Sequence, residues 1–180
     1  MNARQVSRAP GEPSPHQQPT ELRRTFARNL RQARKAAGLT QHALAKVASC
    51  SRAQIAAIET DAANVKLDTI TRLAKALGLT EGDLLRPDMN NAMKRASRVP
   101  AEPLSKTEPT EFRRRFARNL RAIRLAAGLS QDVIAKAAAM NLSVISDIEV
   151  NAKNVTLDTV TRLAQQIGCS EIDLLGPGHR

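Results

Sequence analysis

Apolar positions recur along this chain at helical spacing. Leu22, Phe26, Leu30 and Ala33 fall at i, i+4, i+8 and i+11, which puts them on one face of a helix. Gly38 predicts the end of that helix, because glycine takes the left-handed conformation without a Cβ penalty. Thr40 predicts the cap of a short second helix with Leu44 facing inward. Ser51 predicts the cap of a third, in which Ile55 and Ile58 point inward at i, i+3 spacing. The stretch "LDTITRLAKAL" predicts a fourth, with Asp68 in its first turn where a carboxylate suits the helix dipole. Gly78 stops it, Thr80 caps a last short helix, and Pro87 closes the unit. No run alternates β-branched or aromatic residues with polar ones, so strands are not expected.

The pattern is then written a second time. "PTELRRTFARNLRQARKAAGLTQHALAKVASC" from Pro19 aligns without a gap on "PTEFRRRFARNLRAIRLAAGLSQDVIAKAAAM" from Pro109, at an offset of 90 residues. Across the 69 positions from Pro19 to Pro87, 39 are identical to their counterparts. Phe112, Phe116, Leu120 and Ile123 repeat the first apolar face, and Gly128, Ser130 with Ile134, Asn141, Gly168, Ser170 and Pro177 repeat the punctuation. Even the lead-in segments echo, "SRAPGEP" against "SRVPAEP". The expected fold is all-α: two tandem five-helix domains over residues 19–87 and 109–177, joined by a flexible linker. Residues 1–18 are expected as a disordered arm, rich in Pro, Gln and Arg. Residues 88–108, polar, basic and Pro-rich, are expected as the linker.

Charge narrows the function. Lys and Arg number 28 against 17 Asp and Glu, a net charge of +11 in 180 residues, which suits an anionic partner such as nucleic acid. Aromatics are limited to three Phe, with no Trp or Tyr, so the stacking platforms of single-strand and RNA binders are missing. Cys50 and Cys169 lack CxxC spacing, and His16, His42 and His179 lack metal-ligand spacing. Neither a disulfide framework nor a zinc site is expected. No apolar run approaches a membrane span, and the N-terminal stretch has no apolar block of a secretory signal, so a cytoplasmic, nucleoid-associated protein is expected. No phosphate-binding glycine loop, carboxylate pair or nucleophile with a spaced base is present, so neither an enzyme nor a cofactor is expected.

A short helix, a tight turn and a second short helix inside a small all-α domain is the helix-turn-helix plan. "NLRxxR", "AGL[TS]Q", the small Ala45 and Ala135, the "I..IE" of the third helix, "NVxLDT" and "LA..[LI]G..E.DLL" go further. In this order, and twice, they resemble the phage-repressor-like (Cro/C1, XRE) helix-turn-helix family. The resemblance implies a double-stranded DNA-binding regulator, most simply a transcription factor that acts by occupancy. It implies buried ion pairs Arg34–Glu59 and Arg124–Glu149, which are structural. It implies that Gln41 and Gln131, at the start of the second helix, reach a phosphate with the helix N-terminus. In the third helix it assigns DNA contact to Ser51, Arg52, Ala53, Gln54 and Ala57, and to Asn141, Leu142, Ser143 and Asp147.

The third helices depart from that family. Opposite Ile55 and Ile58 a helical wheel places Ala53, Ala56, Ala57 and Thr60, with Arg52 at the edge and Gln54 on the flank. The second unit has Ser143, Ser146, Asp147 and Val150 there, with Leu142 at the edge. Arg52 can take a guanine through O6 and N7, while the alanines offer only contact with thymine methyls. Asp147 is expected to repel phosphate. The helix-turn-helix segments are not basic. Residues 40–64 carry Lys46 and Arg52 against Glu59 and Asp61, net 0; residues 130–154 carry Lys136 and Lys153 against Asp132, Asp147 and Glu149, net −1. Ser49 and Ala139 replace the family's turn glycine. Positive charge collects instead on the first helices, at Arg23, Arg24, Arg28, Arg31 and Lys35 and at Arg113, Arg114, Arg115, Arg118 and Arg121. As a flexible coil, the linker of about 22 residues would span roughly 25–28 Å, compatible with adjacent grooves. A homodimer and a protein partner remain open alternatives, the latter as an antitoxin, anti-repressor or bridging factor. With no domain beyond the two units, no small-molecule effector is expected.

Overall fold

In the computed structural model, residues 18–61, 63–97 and 108–177 are described. The first unit holds α1 (Glu21–Ala36), α2 (Gln41–Val47), α3 (Arg52–Glu59), α4 (Leu67–Ala76) and α5 (Glu81–Leu85). After α6 (Asn90–Met93), the second holds α7 (Glu111–Ala126), α8 (Gln131–Ala137), α9 (Leu142–Asn151), α10 (Leu157–Ile167) and α11 (Glu171–Leu175). The described residues contain no strand, only one isolated bridge between Lys66 and Thr156.

Side-chain caps set most helix starts. Thr20, Thr40, Ser51, Thr110 and Ser130 each accept a hydrogen bond from the backbone N–H three residues on. Thr80 and Ser170 form full capping boxes with Asp83 and Asp173. Asn141 differs from expectation. It occupies the N-cap position of α9, but its side chain makes no capping bond. Phe26, Leu30, Leu44, Ile55, Ile58 and Leu73 are at most 1% exposed and form the first unit's centre, with Phe116, Leu120, Ile134, Ile145, Ile148 and Leu163 in the second. Each such side chain removed from water contributes about 1.5–3 kcal/mol. Asn29 and Asn119 turn inward to donate to the carbonyls that end α5 and α11, among them Leu84 O at 3.0 Å and Leu174 O at 3.1 Å.

The segment expected as a linker is partly folded. Met89 and Ala92, at i, i+3 spacing, are buried against the first unit, and Ser97 N–H donates to Leu77 O at 3.1 Å. Arg95 pairs with Asp83 at 3.1 Å. The polar look of "DMNNAMKRAS" hides a short apolar stripe, which is why composition alone reads it as coil. Residues 98–107 of the expected linker, and all but residue 18 of the expected arm, lie outside the described residues.

The spacing of the two units is not left to the linker, because they touch directly. Leu67 N–H donates to Val155 O and Leu157 N–H to Val65 O, both at 3.0 Å. Asp158 accepts from Arg23 at 2.9 Å and from Thr20 at 3.2 Å; its register counterpart Asp68 accepts from Arg113 and Thr110, both at 3.1 Å. Every contact has its mate 90 residues on, the signature of an isologous two-fold interface, here within one chain. Helix caps are exchanged as well. Neither Lys66 nor Thr156 caps its own helix, and Asn154 Oδ1 accepts from Asp68 N–H of α4 while Asn64 Oδ1 accepts from Asp158 N–H of α10, each at 3.3 Å. Leu67 and Leu157 are fully buried, and one apolar core runs through both units.

Candidate nucleic-acid interface

Three elements of each unit meet at one buried carboxylate. Arg34 Nε and Nη2 donate to the two oxygens of Glu59 at 2.6 and 2.9 Å, and Arg34 Nη1 donates to Leu39 O at 2.8 Å. Gln41 Nε2 adds a third bond to Glu59 at 3.0 Å. The second unit repeats the arrangement with Arg124 on Glu149 at 2.6 and 2.8 Å, on Leu129 O at 2.8 Å, and with Gln131 at 2.8 Å. Both carboxylates are nearly sealed from water, with 3% and 1% of the side chain exposed. Burial alone pushes them up in pKa; the bidentate arginine bonds and then the glutamine bond outweigh it, so both sit below the ordinary glutamate range. The clamp ties α1, the entry to α2 and α3 into one rigid joint. It also gives Gln41 and Gln131 an internal partner that their expected phosphate role does not include, leaving one amide N–H on each half-buried side chain.

The third helices present the faces just beyond this joint. In α3, Ser51, Arg52 and Ala53 are exposed, while Gln54, Ala56 and Ala57 are half-buried. The expected outward alanines are therefore partly screened, and Arg52 is the exposed cation of that helix. In α9, Asn141, Leu142 and Ser143 are exposed, with Leu142 48% and Val150 68% accessible. Asp147 is not an unpaired carboxylate. Lys153 Nζ donates to it at 3.0 Å and Asn151 at 3.4 Å, and the lysine hydrogen bond and charge hold its carboxyl below the usual range. The structure thus brings Asp147 and Lys153 together, an internal neutralisation at the tail of α9.

Ser49 and Ala139 sit at φ 51° and 49°, in the left-handed region where the family has glycine. The turn geometry is kept while the residue that relaxes it is not. The first helices divide their charge. Arg24, Arg28, Arg31 and Lys35 form an exposed stripe, but Arg23 and Arg113 point inward to Asp158 and Asp68. Arg23 also donates to Asp61 O, and Arg113 Nε to Ala152 O at 2.6 Å. Their spacing was the available signal: Arg23 lies at i, i+3, i+7 with Phe26 and Leu30, on the apolar face. Arg115 stacks over the Phe112 ring, 5.2 Å from its centroid.

A helix-turn-helix domain model matches residues 25–87, and a second helix-turn-helix model matches residues 120–174. The chain is a tandem helix-turn-helix protein. Two helix-turn-helix domains in tandem are consistent with the phage-repressor-like (Cro/C1, XRE) type. Among solved structures, this tandem protein is similar to the restriction-modification controller protein C.AhdI from Aeromonas hydrophila. That match has 29% identity, covers 34% of this chain and 94% of that one, and has a TM-score of 0.33. It is also similar to the hypothetical transcription factor NHTF from Neisseria, at 26% identity, with 42% and 88% of the two chains covered and a TM-score of 0.36. A comparison with curated proteins finds no match. No helix among the described residues is long and apolar enough to cross a membrane, and no His/Cys/Asp/Glu group there has the makings of a metal site.

Proposed function

We propose that this chain is a transcription regulator that binds double-stranded DNA as a single-chain counterpart of a dimer, with the first unit as the principal reader. The observation that carries this is the isologous pairing of residues 64–68 with 154–158. Each pairing segment follows its third helix within a few residues, so α3 and α9 flank the two-fold relation. The seven chain steps from Glu59 to Lys66 reach at most about 23 Å, so two such arms are long enough for the 34 Å spacing of successive major grooves. Arg52 reads a base, Ser51 and Gln54 flank it, and Ala53 and Ala57 provide closeness. Gln41 and Gln131 use their free amide N–H and the helix N-termini on phosphates. In the second unit Asn141, Leu142, Ser143 and Asp147 give a face with little hydrogen-bonding code. The preferred site is therefore asymmetric, although the scaffold is nearly symmetric.

Sedimentation and gel-shift titration of duplex DNA test this at 50 and 200 mM salt. The expected result is one chain per site, with affinity falling about 3.5-fold for each phosphate contact over that range. Two chains per site, or no binding at 50 mM salt, would overturn it. A second reading is favoured by one observation. Leu125, Val133, Leu142, Val150 and Ile172 are the exposed large hydrophobics among the described residues, and all five lie in the second unit. On that reading α8 and α9 hold a protein while the first unit holds DNA. DNA affinity would then be insensitive to Leu142→Ala, and partner binding would not.

A further inference from the structure

We infer that Arg72 is a positioning residue for the third helix of the first unit, and that Thr156 withholds the same brace from the second. The turns that lead into α3 and α9 are built alike. Ser49 and Ala139 hold the left-handed conformation, and the next amides close the turns on α2 and α8. Cys50 N–H donates to Ala45 O at 2.9 Å and Met140 N–H to Ala135 O at 2.8 Å. A left-handed residue that carries a Cβ is strained, so such a turn gains from an outside tie. The first turn has one. Arg72 of α4 donates through Nη1 to Ser49 O at 3.0 Å and through Nη2 to Thr69 Oγ1 at 3.1 Å. One planar guanidinium thus joins the buried Thr69 to the turn.

The second unit has the same arginine and the same threonine at the matching places, Arg162 and Thr159, yet lacks the tie. Arg162 is exposed, and among the described residues no hydrogen bond reaches Ala139 O. Thr159 Oγ1 pairs instead with Thr156 Oγ1 at 3.1 Å. Thr156 stands where the first unit has Lys66, which carries no hydroxyl. Thr69 reaches three residues forward to Arg72, whereas Thr159 reaches three residues back to Thr156. A β-branched side chain has few rotamers with which to do both, so one hydroxyl decides which arginine is held. The caps divide the same way. Ser51 Oγ accepts from Gln54 N–H at 3.0 Å, while Asn141 makes no capping bond. The entry to α3 is tied by brace and cap, and the entry to α9 by neither. Arg52 and Leu142 lie three residues past Ser49 and Ala139. In the DNA-binding reading above, on which this consequence rests, Arg72 fixes the approach of Arg52 without touching the duplex.

Native-state hydrogen exchange, read by NMR on the full chain without DNA, tests the brace. After correction for intrinsic rates, Cys50 N–H is expected to be about tenfold better protected than Met140 N–H, the effect of one hydrogen bond from a charged donor. Arg72→Ala should remove that margin, and Arg162→Ala should change neither amide. Thr156→Val frees Thr159 to hold Arg162 and should raise protection at Met140 several-fold, a gain that mere destabilisation cannot produce. Equal protection of the two amides, or no gain at Met140 in Thr156→Val, would overturn the inference. DNA titrations then separate positioning from contact. Arg72→Ala should lower the ratio of specific to random-duplex affinity several-fold and leave the salt slope as it was. A slope reduced by about 1 would make Arg72 a phosphate contact and overturn its positioning role. If the unaltered chain bound no duplex at all, the DNA-binding reading would fail, and the brace, measured without DNA, would stand.

Discussion

Arg52 and Leu142 stand at the same place in their units, each opening the third helix and each exposed. The contrast extends over the surface. The exposed Leu125, Val133, Leu142, Val150 and Ile172 of the second unit replace Lys35, Ala43, Arg52, Thr60 and Gly82 of the first. Inside, the units hardly differ: the same arginine, glutamate and glutamine make the same clamp to within 0.2 Å. Packing constrains the buried set at both places alike, because a missing buried methylene costs about 1 kcal/mol and an unpaired buried charge about 3–5 kcal/mol. The outside is free to follow whatever each unit touches. Two nearly identical scaffolds with dissimilar faces imply dissimilar tasks.

The sharpest test of shared interiors is the clamp. Arg124→Ala leaves Glu149 charged and sealed, and is expected to cost about 3–5 kcal/mol in chemical denaturation, with Arg34→Ala close behind. A melting temperature unchanged by either substitution would remove the clamp from the account of the fold. Acid probes the same groups. Because both carboxyls titrate lower when folded than unfolded, their contribution is complete above the ordinary glutamate pKa of about 4.3 and is lost as pH falls through the lower folded value. Glu59→Gln should therefore flatten the acid limb of the stability profile.

Next comes the two-fold pairing. Asp68→Ala and Asp158→Ala each remove a charge-assisted bond and a threonine bond at partly buried sites, and each should cost about 1–3 kcal/mol. Unequal losses would show that the interface is less symmetric than its geometry. The faces should separate clearly: Arg52→Ala should weaken specific DNA binding by about 1–3 kcal/mol, and Leu142→Ala should leave it unchanged. Asp147→Ala releases Lys153 toward the backbone of the duplex, so affinity should rise a few-fold and the salt slope should steepen by about 1. The smallest effect belongs to the turns. Ser49→Gly and Ala139→Gly relieve a left-handed residue, worth about 0.5 kcal/mol net after the added flexibility of the unfolded chain.

Much of this was legible in the sequence, and what was not had a physical cause. Leu22, Phe26 and Leu30 announce α1 because a buried face must repeat at the helical period, and Thr40 and Thr80 announce their helices because orphan N–H groups need acceptors. The clamp residues were visible through family resemblance, but Gln41's bond to Glu59 was not, since one amide serves an internal carboxylate and a phosphate equally well. The contacts of Asp68 and Asn64 were hidden for a different reason. Both look like ordinary residues at a helix start, and their partners lie 45 and 94 residues away, beyond any local period. Of the candidate DNA-contacting residues, exposure separates Arg52 from Ala57, and only side-chain geometry joins Asp147 to Lys153.

The exchanged asparagine caps have a consequence for how such a protein can change. In an assembly of two identical chains, any substitution alters both halves at once, so a residue that improves one contact must be tolerable at its mirror image. Here Asn64 and Asn154, Asp68 and Asp158, are separate positions on one polypeptide that still complete each other's helices. A single replacement edits one half and leaves the other as it was. Leu142 and Arg52 occupy equivalent places without conflict, because a shared chain makes the symmetry structural without making it compulsory.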